Sequence, residues 1–228
     1  MGGAPLLSIA RGEGDLQRAK RIQGNSLLLL LIFSVLTTSV SLAVKGRALY
    51  WFGASAETFP YADAYLTVYV LGSPFVLLTL GMNNFINAQG YARTGMLTVL
   101  IGAALNIVFD PLFIFVFHMG VTGAALATVL SQAVSAVWVM AFLTGKRCAL
   151  PVRPADLKPD GALLRRICGL GFATFIMNVN DSLVSVVCNS QLQRFGGDTY
   201  VGVMTVISSL RQILFLPLSG FSQGSLPV

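Results

Sequence analysis

In 228 residues the chain carries 55% hydrophobic and 11% charged residues, with a formal net charge of +6. Soluble domains carry about 25% charged residues, and apolar runs this numerous and this long exceed what a soluble core would hold. The basic residues fall in short connections between those runs rather than on one face, which argues against nucleic acid as a partner.

Taken in chain order, Met1 to Ala10 is apolar and glycine-rich but too short to span a bilayer. With no basic region ahead of it, it reads as the tail of a helix rather than a secretory leader. Gly12-Glu13-Gly14 resembles a phosphate-loop fragment, yet no strand precedes it, and a turn before a helix capped by Asp15 accounts for it. Runs of membrane-crossing length then cover 26–44, 65–85, 95–117, 121–143 and 164–192, and a sixth covers 201–228. Pro74 and Pro217 are expected to kink their spans. Asn83, Asn84, Asn87 and Gln89 read as terminators of the second span. His118, the only histidine, reads as an exposed turn residue in the tight connection Phe117-His118-Met119-Gly120.

Lys and Arg alternate between connections. Arg11, Arg18, Lys20, Arg21, Arg93, Lys146, Arg147, Arg153, Lys158, Arg165 and Arg166 fall on one side, against Lys45, Arg47 and Arg194 on the other. The richer side is expected to be cytoplasmic. The polar connection 144–163, with Pro151, Pro154 and Pro159, divides the chain into an earlier group, 1–143, and a later one, 164–228. Cys148, Cys168 and Cys188 have no metal-ligand spacing and read as packing residues or free thiols. No metal cluster, nucleophile–base pair or nucleotide motif points to an enzyme.

The most informative pair is Asn106 and Asp110, one helical turn apart in the middle of the third span and followed by Pro111. A carboxylate at such depth costs a few kcal/mol, and residues of this kind tend to face a bundle interior and move protons or ions. Pro111 lacks an N–H and crowds the carbonyl of Ile107, so it is a candidate hinge. Folding the chain at Met119 brings Thr128 to the depth of Asp110 on the neighbouring antiparallel helix. Oxygens of Asn106, Asp110 and Thr128 then converge as sodium or a proton relay requires. The competing reading has Thr128 bonding its own helix and Asn106 bonding across to a neighbour. Gly123, Ala124, Ala125 and Ala127 allow close helix approach. A second polar group contains Asn178, Asn180, Asp181 and Asn189. With a turn at Phe195, Asp181 and Arg211 come to similar depth, where two readings stand side by side: a structural ion pair between them, or a part in transport.

The blocks Phe85-Ile86-Asn87-Ala88-Gln89-Gly90, then Ile101-Gly102-Ala103-Ala104-Leu105-Asn106-Ile107-Val108-Phe109-Asp110-Pro111-Leu112-Phe113-Ile114-Phe115, then Met119-Gly120-Val121-Thr122-Gly123-Ala124-Ala125-Leu126-Ala127-Thr128 resemble the multidrug and toxic compound extrusion (MATE) transporters. The family commonly has Arg where Asn87 stands. The resemblance implies an all-α, polytopic integral membrane helix bundle: part of a fold of twelve helices in two similar lobes. On that scheme 1–143 is a portion of the N-terminal lobe from the end of helix 2 to helix 6. The stretch 144–163 is the cytoplasmic linker between lobes, and 164–228 holds helices 7 and 8. Helix 1, most of helix 2 and helices 9 to 12 are expected to lie outside this chain. The internal repeat is echoed in Met1-Gly2-Gly3-Ala4-Pro5-Leu6 and Gln223-Gly224-Ser225-Leu226-Pro227-Val228.

The implied activity is cation-coupled antiport (H+ or Na+, with no other cofactor) of cationic or amphipathic organic compounds across a bacterial plasma membrane. Several members bind the cation through a helix 1 acid together with residues matching Asn106, Asp110 and Thr128; Asp181 lies near a further acid on helix 7. A lipid-linked sugar flippase of related fold, which would need several basic cavity residues where only Arg211 is available, and a non-transporting scaffold bundle are the alternatives. Without the absent helices this chain is expected to insert poorly or to assemble with another copy, and not to support coupled transport.

Overall fold

A computed structural model describes residues 2–145 and 147–225, with the side chains of 154, 155 and 219–225 outside the description. Met1, Lys146 and the terminal residues Leu226, Pro227 and Val228, which belong to the basic-side and repeat expectations, lie outside the described residues. The elements are α1 (Gly3–Gly12), α2 (Leu16–Trp51), α3 (Phe59–Ala88), α4 (Ala92–Pro111), a π-helical turn (Leu112–Val116), α5 (Gly120–Thr144), a 3-10 turn (Pro154–Leu157) and α6 (Gly161–Ser225). Five of these helical segments are long and apolar enough to cross a membrane. The architecture is all-helical, as the sequence predicts.

The predicted fifth and sixth spans are the two arms of α6. They are divided at Gly197, whose φ of 65° and ψ of −166° leave the helix, two residues beyond the predicted turn at Phe195. Only glycine adopts such a backbone without steric cost. The other helices are longer than their apolar runs. Asp15 accepts a hydrogen bond from the Arg18 N–H at 2.9 Å and starts α2 well before the apolar residues begin. Apolar length reports the stretch suited to lipid, whereas a cap reports where the backbone turns helical. The helices continue through Pro74 and Pro217 without interruption.

Helix α3 is the centre of the bundle, packed against α1, α2, α4 and α5, while among the described residues α6 packs on α1 and α2. Close approach depends on missing side chains at Gly72, where a Cβ would collide with the side chain of Val129, and at Gly123, where it would stand 2.9 Å from the Phe113 carbonyl. Gly123, Ala125 and Ala127 are buried, so the small-residue stretch performs the role expected of it.

The main apolar core lies at the basic end, where Leu7, Ile22, Met82, Ile86, Val139 and Leu143 meet Leu150 of the connection after α5. That connection is not a free linker. Asn25, fully buried, donates to the Lys158 carbonyl at 3.1 Å and accepts from the Asp160 N–H at 2.9 Å. Gln89 accepts from the Leu150 N–H and the Cys148 thiol, both at 3.1 Å, and donates to Gln23 Oε1 at 3.2 Å. Gln89 therefore does more than end α3: buried, it straps the connection to two helices. Contacts such as Arg11 to the Ala88 carbonyl and Tyr91 to the Arg147 carbonyl gather the basic connections at one end. Ser55 to Asp198 joins connections at the other.

Burial pushes the Cys148 thiol up from its ordinary range, against the smaller opposing effect of its hydrogen bonds. A raised pKa leaves less thiolate at any given pH, and thiolate is the reactive form. In a C168S/C188S background, Cys148 should react with maleimide at pH 8 at least about tenfold more slowly than a free thiol. Gln89→Leu leaves the Leu150 N–H and Gln23 Oε1 unpaired, at a cost of about 2 to 4 kcal/mol. It should lower the melting temperature and speed Cys148 labelling together. Unchanged labelling would show that the strap does not depend on Gln89.

Candidate functional site

Asn106 and Asp110 project from one face of α4, and Thr128 faces them from α5. The Asn106 Nδ2 donates to Asp110 Oδ1 at 3.3 Å and lies 3.5 Å from Thr128 Oγ1. Thr128 donates its own proton to the Ala124 carbonyl at 3.0 Å. The bond to its own helix expected of Thr128 is present, and the contact with Asn106 lies beside it. Because its proton is committed to its own helix, the hydroxyl oxygen keeps lone pairs for whatever lies between α4 and α5. All three residues are half-buried.

The backbone beside the carboxylate changes register. The α-helix runs to Pro111, and the next turn is π-helical, closed by the Phe117 N–H to the Leu112 carbonyl at 3.0 Å. Pro111 cannot donate to Ile107, and a wider turn directly follows this missing bond. Single π turns inside helices are frequent at functional sites. The turn ends at His118, exposed with φ of 53°, in the position expected of it.

The sequence reading missed Tyr65. Its phenol interacts with the Thr128 hydroxyl and with the Asp110 carboxylate, and its ring stacks on Tyr69 with centroids 5.9 Å apart. The available signal was Tyr61, Tyr65 and Tyr69 at a four-residue spacing, which places polar-tipped rings along one side of a span. Lys45, a connection charge by its place in the sequence, stands inside α2. It lies 2.9 Å from Asp63 and donates to Thr67 at 2.7 Å, joining α2 to α3.

The second polar group does not assemble. Asp181 and Arg211 are both exposed, and the ion pairs among the described residues are Arg18–Glu13 and Lys45–Asp63. The reading of Asp181 and Arg211 as an ion pair is therefore corrected. Residue counts from a turn set depth, but rotation about the helix axis sets facing, and the counts leave that rotation free. Asn178 donates to the Thr174 carbonyl of its own helix at 2.8 Å.

Asp110 contributes carboxylate oxygens and Thr128 a hydroxyl oxygen, while Asn106 faces them with its amide nitrogen and carries its oxygen on the other side; oxygen donors of this kind suit a proton or a hard cation. Among the described residues no group of three or more His, Cys, Asp or Glu side chains gathers as a transition-metal site would require.

Long apolar helices around one inward carboxylate with oxygen-bearing neighbours define a multi-pass membrane protein with a polar site inside its bundle. A family model described as MatE matches residues 1–112. Over its whole length the chain is 27% identical to the multidrug export protein MepA of Staphylococcus haemolyticus, and it spans 50% of that protein. MepA of Staphylococcus aureus is 26% identical, with the same shares covered. Among solved structures, the MATE multidrug transporter DinF-BH, solved in complex with a dye, is 37% identical with a TM-score of 0.92; the match covers 99% of this chain and 51% of that one. The inward-facing conformation of a multidrug resistance MATE family transporter is 27% identical with a TM-score of 0.89, covering 95% and 49%. Along its whole length the chain is similar to MATE transporters, and it spans about half the length of the curated relatives it matches.

Proposed function

We propose that this chain takes part in multidrug efflux as a cation-coupled antiporter, with Asn106, Asp110 and Thr128 holding the coupling proton or sodium ion. The observation that carries the reading is the convergence of these three side chains on one carboxylate between α4 and α5. A proton and a cation compete for a single carboxylate, so binding one releases the other. In the arrangement described, Asn106 turns its N–H toward both oxygens and thereby satisfies Asp110 without an ion. Rotation of that amide by about half a turn presents Oδ1 instead and completes an oxygen cage. Alternating access then follows if the two arrangements favour different openings of the bundle, with Pro111 and the π turn taking up the difference in helix direction. The multidrug export named for MepA and the dye bound to DinF-BH point to organic, amphipathic or cationic substrates. A bacterial plasma membrane fits the relatives' source.

The test is dye export by the complete transporter that contains this chain, reconstituted in vesicles under an imposed proton or sodium gradient, one at a time. Export is expected to follow one of the two gradients and to stop when that gradient is collapsed. Export indifferent to both gradients would refute coupling.

A further inference from the structure

We propose that the outer surface of α5 at its basic end is a binding site for an anionic phospholipid, separate from the ion site. A cleft of about 360 Å³ there is lined by Trp138, Ala141, Phe142, Gly145 and Arg147. The first four residues recur at helical spacing along one side of α5, so the cleft runs parallel to the helix axis. The opposite side of the same helix is turned inward, with Ala136, Val139 and Leu143 buried in the bundle. On the outer side Trp138 is 39% exposed, and Ala141 and Arg147 are exposed. The cleft is therefore apolar along its length and cationic at one end only. An acyl chain with a negative head group has that shape and polarity.

Its framework is fixed. Tyr91 meets Phe142 edge-on with centroids 5.1 Å apart and donates its hydroxyl to the Arg147 carbonyl at 3.1 Å. These contacts hold the cleft floor and the backbone of the cationic end, and among the described residues the guanidinium has no hydrogen-bond partner. The carboxylates of the basic-end connections are engaged elsewhere. Glu13 pairs with Arg18, Asp15 caps α2, Asp156 accepts from the Arg153 N–H, and Asp160 accepts from the N–H groups of Ala162 and Leu163. Arg147 has no ion pair among the described residues. Tryptophan is enriched at the membrane–water boundary, so Trp138 places the cleft where head groups lie. The basic connections assign this end to the cytoplasmic leaflet, whose surface is anionic.

Trp138 is also the reporter. The chain has two tryptophans, and Trp51→Phe at the opposite end leaves Trp138 alone. The full chain is reconstituted in phosphatidylcholine vesicles containing rising fractions of lipid with brominated acyl chains, carried on either phosphatidylglycerol or phosphatidylcholine. The fraction giving half-maximal quenching of Trp138 is expected to be about fivefold lower for the phosphatidylglycerol form, the factor that one basic residue near an anionic surface carries. Arg147→Gln should remove most of that difference while quenching by brominated phosphatidylcholine stays as it was, showing that the variant still inserts. Arg165→Gln, at the same end but outside the cleft, should keep the full difference. Equal quenching by the two lipids, no quenching by either, or an equal effect of the two Arg variants would overturn the site.

Discussion

Asp110→Asn is expected to abolish the dependence of export on the coupling gradient, because it is the one carboxylate in the α4–α5 group. The substitution keeps shape and the hydrogen bond to Asn106 Nδ2 but removes the negative charge. Folding should survive, since exchanging a half-buried carboxylate for its neutral isostere lowers the desolvation cost. Coupling between two ligands is typically worth about 5- to 150-fold in affinity, so gradient-driven export should fall by that order while any passive leak remains. Effects at the partners should be graded. Asn106→Ala removes the bridge to both oxygens and should cost more than Thr128→Ala, whose hydroxyl lies at the 3.5 Å limit. Thr128→Ser keeps the donor to the Ala124 carbonyl and should behave nearly as the unaltered protein. Tyr65→Phe tests the residue missed in the sequence and should weaken ion dependence without abolishing it. Full gradient-driven export by Asp110→Asn would remove the site, and a Thr128 effect larger than the Asp110 effect would relocate it.

The parts legible in the sequence were those set by composition and by chain distance. Five apolar runs became helices with the tight turn at His118, and a nine-residue symmetry about Met119 brought Asp110 opposite Thr128. Antiparallel helices joined by a short turn have little freedom, so depth and facing are both constrained there. The same arithmetic failed for Asp181 and Arg211 because exposed helix arms with few packed neighbours leave facing undetermined. Tyr65 stayed hidden because a tyrosine in an apolar run looks like packing until its hydroxyl has a partner. Gln89 stayed hidden because a polar residue at a helix end has an adequate local explanation. Its partners Cys148 and Leu150 lie some sixty residues away, and no local pattern announces them. The π turn after Pro111 follows from proline chemistry only in part: the missing donor marks where the helix weakens, while the choice of a wider turn depends on α5 beside it.

That dependence gives the second large effect. Gly123 lies against the π turn, with the position of a Cβ 2.9 Å from both the carbonyl carbon and oxygen of Phe113 and 3.0 Å from Met119 Cβ. Backbone atoms cannot swing aside as a flexible side chain does. Gly123→Leu must therefore push α5 away from the turn that follows Asp110. Forced overpacking of this kind costs about 1 to 3 kcal/mol, and here the displacement also widens a contact already at 3.5 Å between Asn106 and Thr128. The variant should melt several degrees lower in detergent and lose ion-dependent export although every polar residue of the site is intact. Gly46→Ala is the control. A Cβ there meets nothing within 4 Å, and relieving the entropy of an interior helical glycine should stabilise α2 by about 0.5 to 1 kcal/mol. If Gly123→Leu retained both thermal stability and ion dependence, close approach of α5 to the π turn would not be what holds Thr128 against Asp110.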